Sequence, residues 1–130
     1  LARFSNKWLP TLTLYNEIEY RDLTHISEKL AEYESDSFRH DKVCAAIYLG
    51  MMKNFDFVFE NAENIQLPLI FQLAGHDRIV STTKSKELFQ AIASENKKIE
   101  VYAESYHEIF NDIEQDLCFK DLKTFLRTLK

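Results

Sequence analysis

Apolar and polar positions divide the chain into two kinds of pattern. Through residue 64 the period is helical after an opening loop. Leu23, Ile26, Leu30 and Tyr33 fall on one stripe, and Asp22 stands where a cap would. Glu34–Asp41 (ESDSFRHD) is polar and interrupts the stripe. A longer helix is predicted from about Lys42 to Asn61, with Val43, Ile47, Met51, Phe55 and Val58 in phase and Tyr48, Met52 and Phe59 widening the apolar face.

From Leu67 the pattern changes. Leu67–Ala74 is a short apolar run opened by Pro68 and closed by Gly75, which predicts a buried strand. Ser81 or Thr82 can cap a following helix with Leu88, Phe89 and Ile92 on its inner side. Lys98–Ala103 alternates as a second strand. A last helix is predicted from about Asp112 to Leu129, with Ile113, Leu117, Cys118, Leu122, Phe125, Leu126 and Leu129 as its stripe. Strand, helix, strand, helix implies parallel strands joined by a right-handed crossover. Two such strands leave open edges and faces, so the expected partners are further strands of the same protein or a second copy paired at a sheet edge.

Composition narrows the chemistry. The 130 residues suit one compact unit, and a formal charge of −5 without a basic block argues against nucleic acid. The longest apolar run, Cys44–Met52, is too short for a membrane helix, and Leu1–Pro10 has no signal-peptide core. Cys44 and Cys118 form no CxxC, which suggests a reduced cytoplasmic setting and no cysteine-based metal site. Only Gly50 and Gly75 are glycines, and no GxSxG, GxGxxG or P-loop occurs.

The candidate site follows from the strand ends. In open α/β sheets, functional groups gather past the carboxyl ends of the strands. Asp77 lies just past the first strand and His107 just past the second. Parallel strands would bring both to one edge, where a carboxylate can accept the histidine Nδ1 proton and orient the ring. Alone, Asp77 reads more readily as a turn residue after Gly75; the matching position of His107 reverses that preference in favour of the catalytic reading. His25, His40 and His76 show no such partner in the pattern and read as surface or loop histidines. Met51, Met52 and Phe55 are candidates for an acyl-chain pocket, with core packing as the alternative. Glu108 either holds the histidine loop or is solvated, and Lys84, Lys86 and Glu95–Lys98 read as solvated faces.

GHDRIVSTTKSKELFQAI and KKIEVYAESYHEIFND resemble the C-terminal part of serine α/β-hydrolases of the monoacylglycerol lipase and lysophospholipase type, which are grouped with S33 serine aminopeptidases. Asp77, Ile79 and Val80 match that family's G-x-D-x-[IV]-V loop, and His107 with Glu108 matches its HE motif. SDSFRHDKV and LPTLTLYNEI are similar, more weakly, to its cap-entry segments. The resemblance implies an α/β fold, with a mostly helical cap (lid) over residues 1–64 and the last two core strands in 65–130. It further implies a serine ester hydrolase acting on lipid-like acyl esters without a cofactor, cytoplasmic or peripheral at membranes. Asp77 and His107 would be the acid and base of its triad. The family's serine elbow and oxyanion loop have no match here, so the expectation is a C-terminal portion, inactive by itself, that needs an N-terminal core. Glu104 and Ser105 replace a glycine common before the histidine. A non-catalytic binding module on the same scaffold is the alternative.

Overall fold

The computed structural model describes residues 2–9, 11–16 and 18–129, with backbone only for Arg3, Ser5 and Asn6. In chain order the elements are α1 (Ala2–Trp8), β1 (Thr13–Tyr15), α2 (Ser27–Ser35), β2 (Lys42–Cys44), α3 (Ala45–Glu60), β3 (Leu69–Ala74), α4 (Thr82–Ala91), β4 (Lys97–Tyr102) and α5 (Gln115–Arg127). Short 3-10 turns at Tyr20–Asp22, Ala62–Asn64 and Ile109–Asn111 join them.

β3 and β4 pair in parallel, with Leu69 opposite Lys97 and Ala74 opposite Tyr102. This is the arrangement expected for a crossover through one helix. The Ser81 hydroxyl accepts from the Lys84 amide and starts α4. At the other end of α4, the Lys97 ammonium donates to the carbonyls of Phe89 (2.9 Å), Gln90 (3.4 Å) and Ile92. A cation there satisfies orphan carbonyls and complements the helix dipole. Lys97 is therefore a capping group, not part of a solvated run.

Ala74, Tyr102, Ile109 and Cys118 form the buried core between the sheet and α5. The Gln72 amide crosses it, donating to the Tyr102 hydroxyl (2.6 Å) and the Cys118 carbonyl (2.8 Å). The α5 stripe is only partly covered: Phe125 is buried, while Leu117, Leu126 and Leu129 remain about half exposed.

The N-terminal half differs from the pattern in three places. Ala2–Trp8 is a helix where a loop was expected. β1 and β2 form an antiparallel pair, Thr13 opposite Cys44 and Tyr15 opposite Lys42, so α3 starts at Ala45 rather than Lys42. Val43 fits the helical period of α3 but is β-branched, and pairing opposite Leu14 takes it into the ladder. The helix expected from Asp22 starts at Ser27, because Tyr20–Asp22 is a separate 3-10 turn. Along α3, Ile47, Met51, Met52, Phe55 and Phe57 are all largely exposed. No helix among the described residues is long and apolar enough to cross a membrane.

Candidate active site

β3 ends at Ala74 and the chain turns at Gly75, whose amide donates to the Tyr102 carbonyl (2.7 Å). A Cβ at Gly75 would sit 2.6 Å from the Ala103 carbonyl oxygen and 2.7 Å from its Cα, so a side chain has no room there. His76 N–H then donates to the Ser105 carbonyl (3.1 Å), binding the loop after β3 to the loop after β4. This close approach of two backbones places Asp77 against His107.

Asp77 Oδ1 accepts from the amides of Ile79 and Val80, both at 2.8 Å. The turn contacts and the contact with His107 are thus made by different oxygens. Oδ2 lies 2.9 Å from His107 Nδ1, the Asp77 side chain being 10% exposed and that of His107 34%. A carboxylate oxygen accepts, so a neutral His107 ring pairs with it through Nδ1–H, which leaves the lone pair on Nε2.

The loop carrying His107 is held from several sides. Glu114 accepts from the Glu104 amide (2.9 Å) and the Ser105 hydroxyl (2.8 Å). Glu108 accepts from the Tyr33 hydroxyl, Asn111 Nδ2 (2.9 Å) and Arg39 Nη2 (3.2 Å), which ties the loop to α2 and rules out the solvated reading. Burial pushes the Glu108 carboxyl up, but those three hydrogen bonds outweigh it and hold it below the ordinary 4.5. Burial, together with the bond to Glu108, pushes the Tyr33 phenol to about 12. The Arg39 guanidinium also lies 3.8 Å from the centre of the Tyr33 ring.

An open cavity of about 900 Å³ adjoins His107, with Ile18, Tyr20, Leu23, Phe38, Arg39 and Ile79 among its lining. That volume lies in the range of small-molecule sites. Met51, Met52 and Phe55 do not line it; they lie exposed on α3.

Pattern reading also missed Asp112 and His25. Asp112 was expected to open the last helix. It lies before α5, fully buried, and accepts from Thr24 Oγ1 (3.3 Å), the amides of His25 (2.8 Å) and Tyr106 (2.6 Å), and His25 Nδ1 (3.0 Å). His25 therefore does have a carboxylate partner. The contacts with Thr24 and His25 join residues 87 or more positions apart, and nothing local in either stretch announces them.

The serine aminopeptidase S33 family model matches residues 1–114. The chain belongs to this hydrolase family. Relatives include the phospholipase YtpA of Bacillus subtilis, 27% identical over 89% of this chain, and a monoacylglycerol lipase of Mycolicibacterium smegmatis, 26% identical over 97%. The S33 chain covers 45% of each of those proteins, about half their length. The crystal structure of Paleococcus ferrophilus monoacylglycerol lipase superposes with a TM-score of 0.88 at 22% identity, over 97% of this chain and 50% of that one. A Saccharomyces cerevisiae monoglyceride lipase gives 0.84 at 19% identity, covering 99% and 48%. The fold is thus that of the C-terminal part of an α/β-hydrolase.

Proposed function

We propose that this chain supplies the acid and base of a serine ester hydrolase acting on lipid-like acyl esters of the monoacylglycerol or lysophospholipid type. The observation that carries the reading is the 2.9 Å pairing of His107 Nδ1 with Asp77 Oδ2 past the carboxyl ends of two parallel strands. Family membership supports the reaction class, and the relatives' names support the substrate class.

In this mechanism a serine supplied from outside these 130 residues attacks the ester carbonyl. His107 Nε2 takes the serine proton as the tetrahedral intermediate forms. It then gives that proton to the leaving alcohol as the acyl-enzyme forms. In the second half, Nε2 takes a proton from water, which attacks the acyl-enzyme, and returns it to the serine. Asp77 holds the Nδ1–H and stabilises the imidazolium at each transfer. The cavity beside His107 takes the substrate, and residues 1–64 act as its lid. Met51, Met52 and Phe55 remain candidates for acyl-chain contact in the complete enzyme.

The reading predicts that the purified 130-residue chain does not turn over a short-chain nitrophenyl ester, since GxSxG is absent from it. Turnover that is lost in His107→Ala would show that a nucleophile lies within these residues and would overturn the division of roles.

A further inference from the structure

His107 is anchored on both sides to a single stretch of chain far away in sequence. The Glu108 amide donates to the Leu23 carbonyl (2.9 Å). The Tyr106 amide donates to Asp112 Oδ2 (2.6 Å), and Asp112 Oδ1 accepts from the His25 amide (2.8 Å). The Tyr106 ring stacks on the His25 ring at 3.6 Å between centroids. On its other contact, Arg78 sits 4.6 Å from the Tyr106 ring centre and bonds both the Tyr106 hydroxyl and Asp22 at 3.0 Å. Arg78 adjoins Asp77, so both loops of the site are tied to residues 22–25.

We infer that Asp112 is a positioning residue that couples the segment Asp22–Ile26 to the placement of His107 against Asp77. The inference rests on the proposed role of His107 and adds an input to it: displacement of this segment, which lies within the proposed lid, carries His107 with it. The Tyr106 and His25 amides, the His25 ring and the Ile113 amide together hold Asp112 in its ionised form against the opposing effect of burial. The bond to the His25 ring does more than meet that charge, because the same ring is stacked on Tyr106, the residue next to His107. It gives the segment a lever on the loop, whereas Glu114 grips the same loop without reaching residues 22–26.

The test is the tautomer of the neutral His107 ring, read by long-range ¹H–¹⁵N correlation on the labelled 130-residue chain. Pairing with Asp77 makes the Nδ1–H form dominant in the unsubstituted protein. His25→Phe keeps a ring on Tyr106 and leaves the Asp112 carboxylate in place, so it removes only the side-chain link. It should shift His107 severalfold toward the Nε2–H form, with the β3 and β4 amide signals unmoved. Asp112→Asn should shift it further, and adding His25→Phe to Asp112→Asn should change nothing more. If Asp112→Asn fails to fold, His25→Phe carries the test. A His25→Phe protein that is folded and has an unchanged tautomer ratio would overturn the coupling alone. Absence of the Nδ1–H form from the unsubstituted chain would instead overturn the Asp77–His107 pairing, and the coupling with it.

Discussion

Replacing Gly75 by alanine adds one methyl group at the point where the two site loops meet. Its Cβ would lie 2.6 Å from Ala103 O, 2.7 Å from Ala103 Cα and 2.8 Å from Tyr102 O. All three are backbone atoms, so no side-chain rotation relieves the contact. Forced overpacking costs about 1–3 kcal/mol. Opening the strand ends also weakens the Gly75–Tyr102 hydrogen bond, a net loss of about 0.5–1.5 kcal/mol. Gly75 has no positive φ, so alanine is tolerated conformationally and restricts the unfolded chain, returning about 0.4–1 kcal/mol. The balance is a destabilisation of about 2 kcal/mol, a fall in melting temperature of roughly 7 °C for a chain of this size. Thermal melts followed by circular dichroism measure it directly. A Gly75→Ala protein melting within about 2 °C of the unsubstituted one would refute the close approach on which the site geometry depends.

Acid titration tests the anchoring of the histidine loop. Glu108 and Asp112 both have lowered folded-state pKa values, so the unfolded chain binds more protons; their stabilisation is present above the ordinary values of 4.5 and 3.8 and is lost as pH falls through the folded ones. Urea midpoints should therefore drop along this acid limb, and Glu108→Gln should flatten it. Burial pushes the Cys118 thiol up to about 11, so iodoacetamide should label the partly exposed Cys44 well before Cys118; equal rates would contradict the packing of α5. Leu117, Leu126 and Leu129, each about half exposed, forgo part of the ~1.5–3 kcal/mol that full burial of such a side chain is worth, so sedimentation over a wide concentration range should show self-association of the isolated chain. A monomer throughout would mean that this surface is tolerated in water.

Local patterns made half of the structure legible and concealed the rest for physical reasons. The strand β3 is a mostly apolar six-residue run between Pro68 and Gly75, α4 carries a helical stripe behind a capping signal, and α5 carries a helical stripe, so each could be read from neighbours in sequence. Asp77 and His107 followed from the topology, because each stands just past a strand end. The β1–β2 ladder was hidden because three residues per strand carry no periodicity, and its stability comes from a partner some 30 positions away, Leu14 opposite Val43. Asp112 was hidden for the same reason: a carboxylate ahead of a helix looks like a cap, and only the folded chain brings Thr24 and His25 to it. Glu108 was ambiguous in the sequence because its partners Tyr33 and Arg39 lie on and just after α2.

The proposed role of Asp77, orienting His107 as the base of ester hydrolysis, is open to steady-state turnover of a short-chain nitrophenyl ester by the protein that includes the serine segment, with and without Asp77→Asn. The asparagine can keep its oxygen on the Ile79 and Val80 amides, but it then presents an N–H to His107 Nδ1 and stabilises the wrong tautomer. With the orienting carboxylate gone, kcat should fall ~10⁴-fold with KM little changed. A kcat within about threefold of the unsubstituted protein, where the orienting role requires ~10⁴, would contradict it.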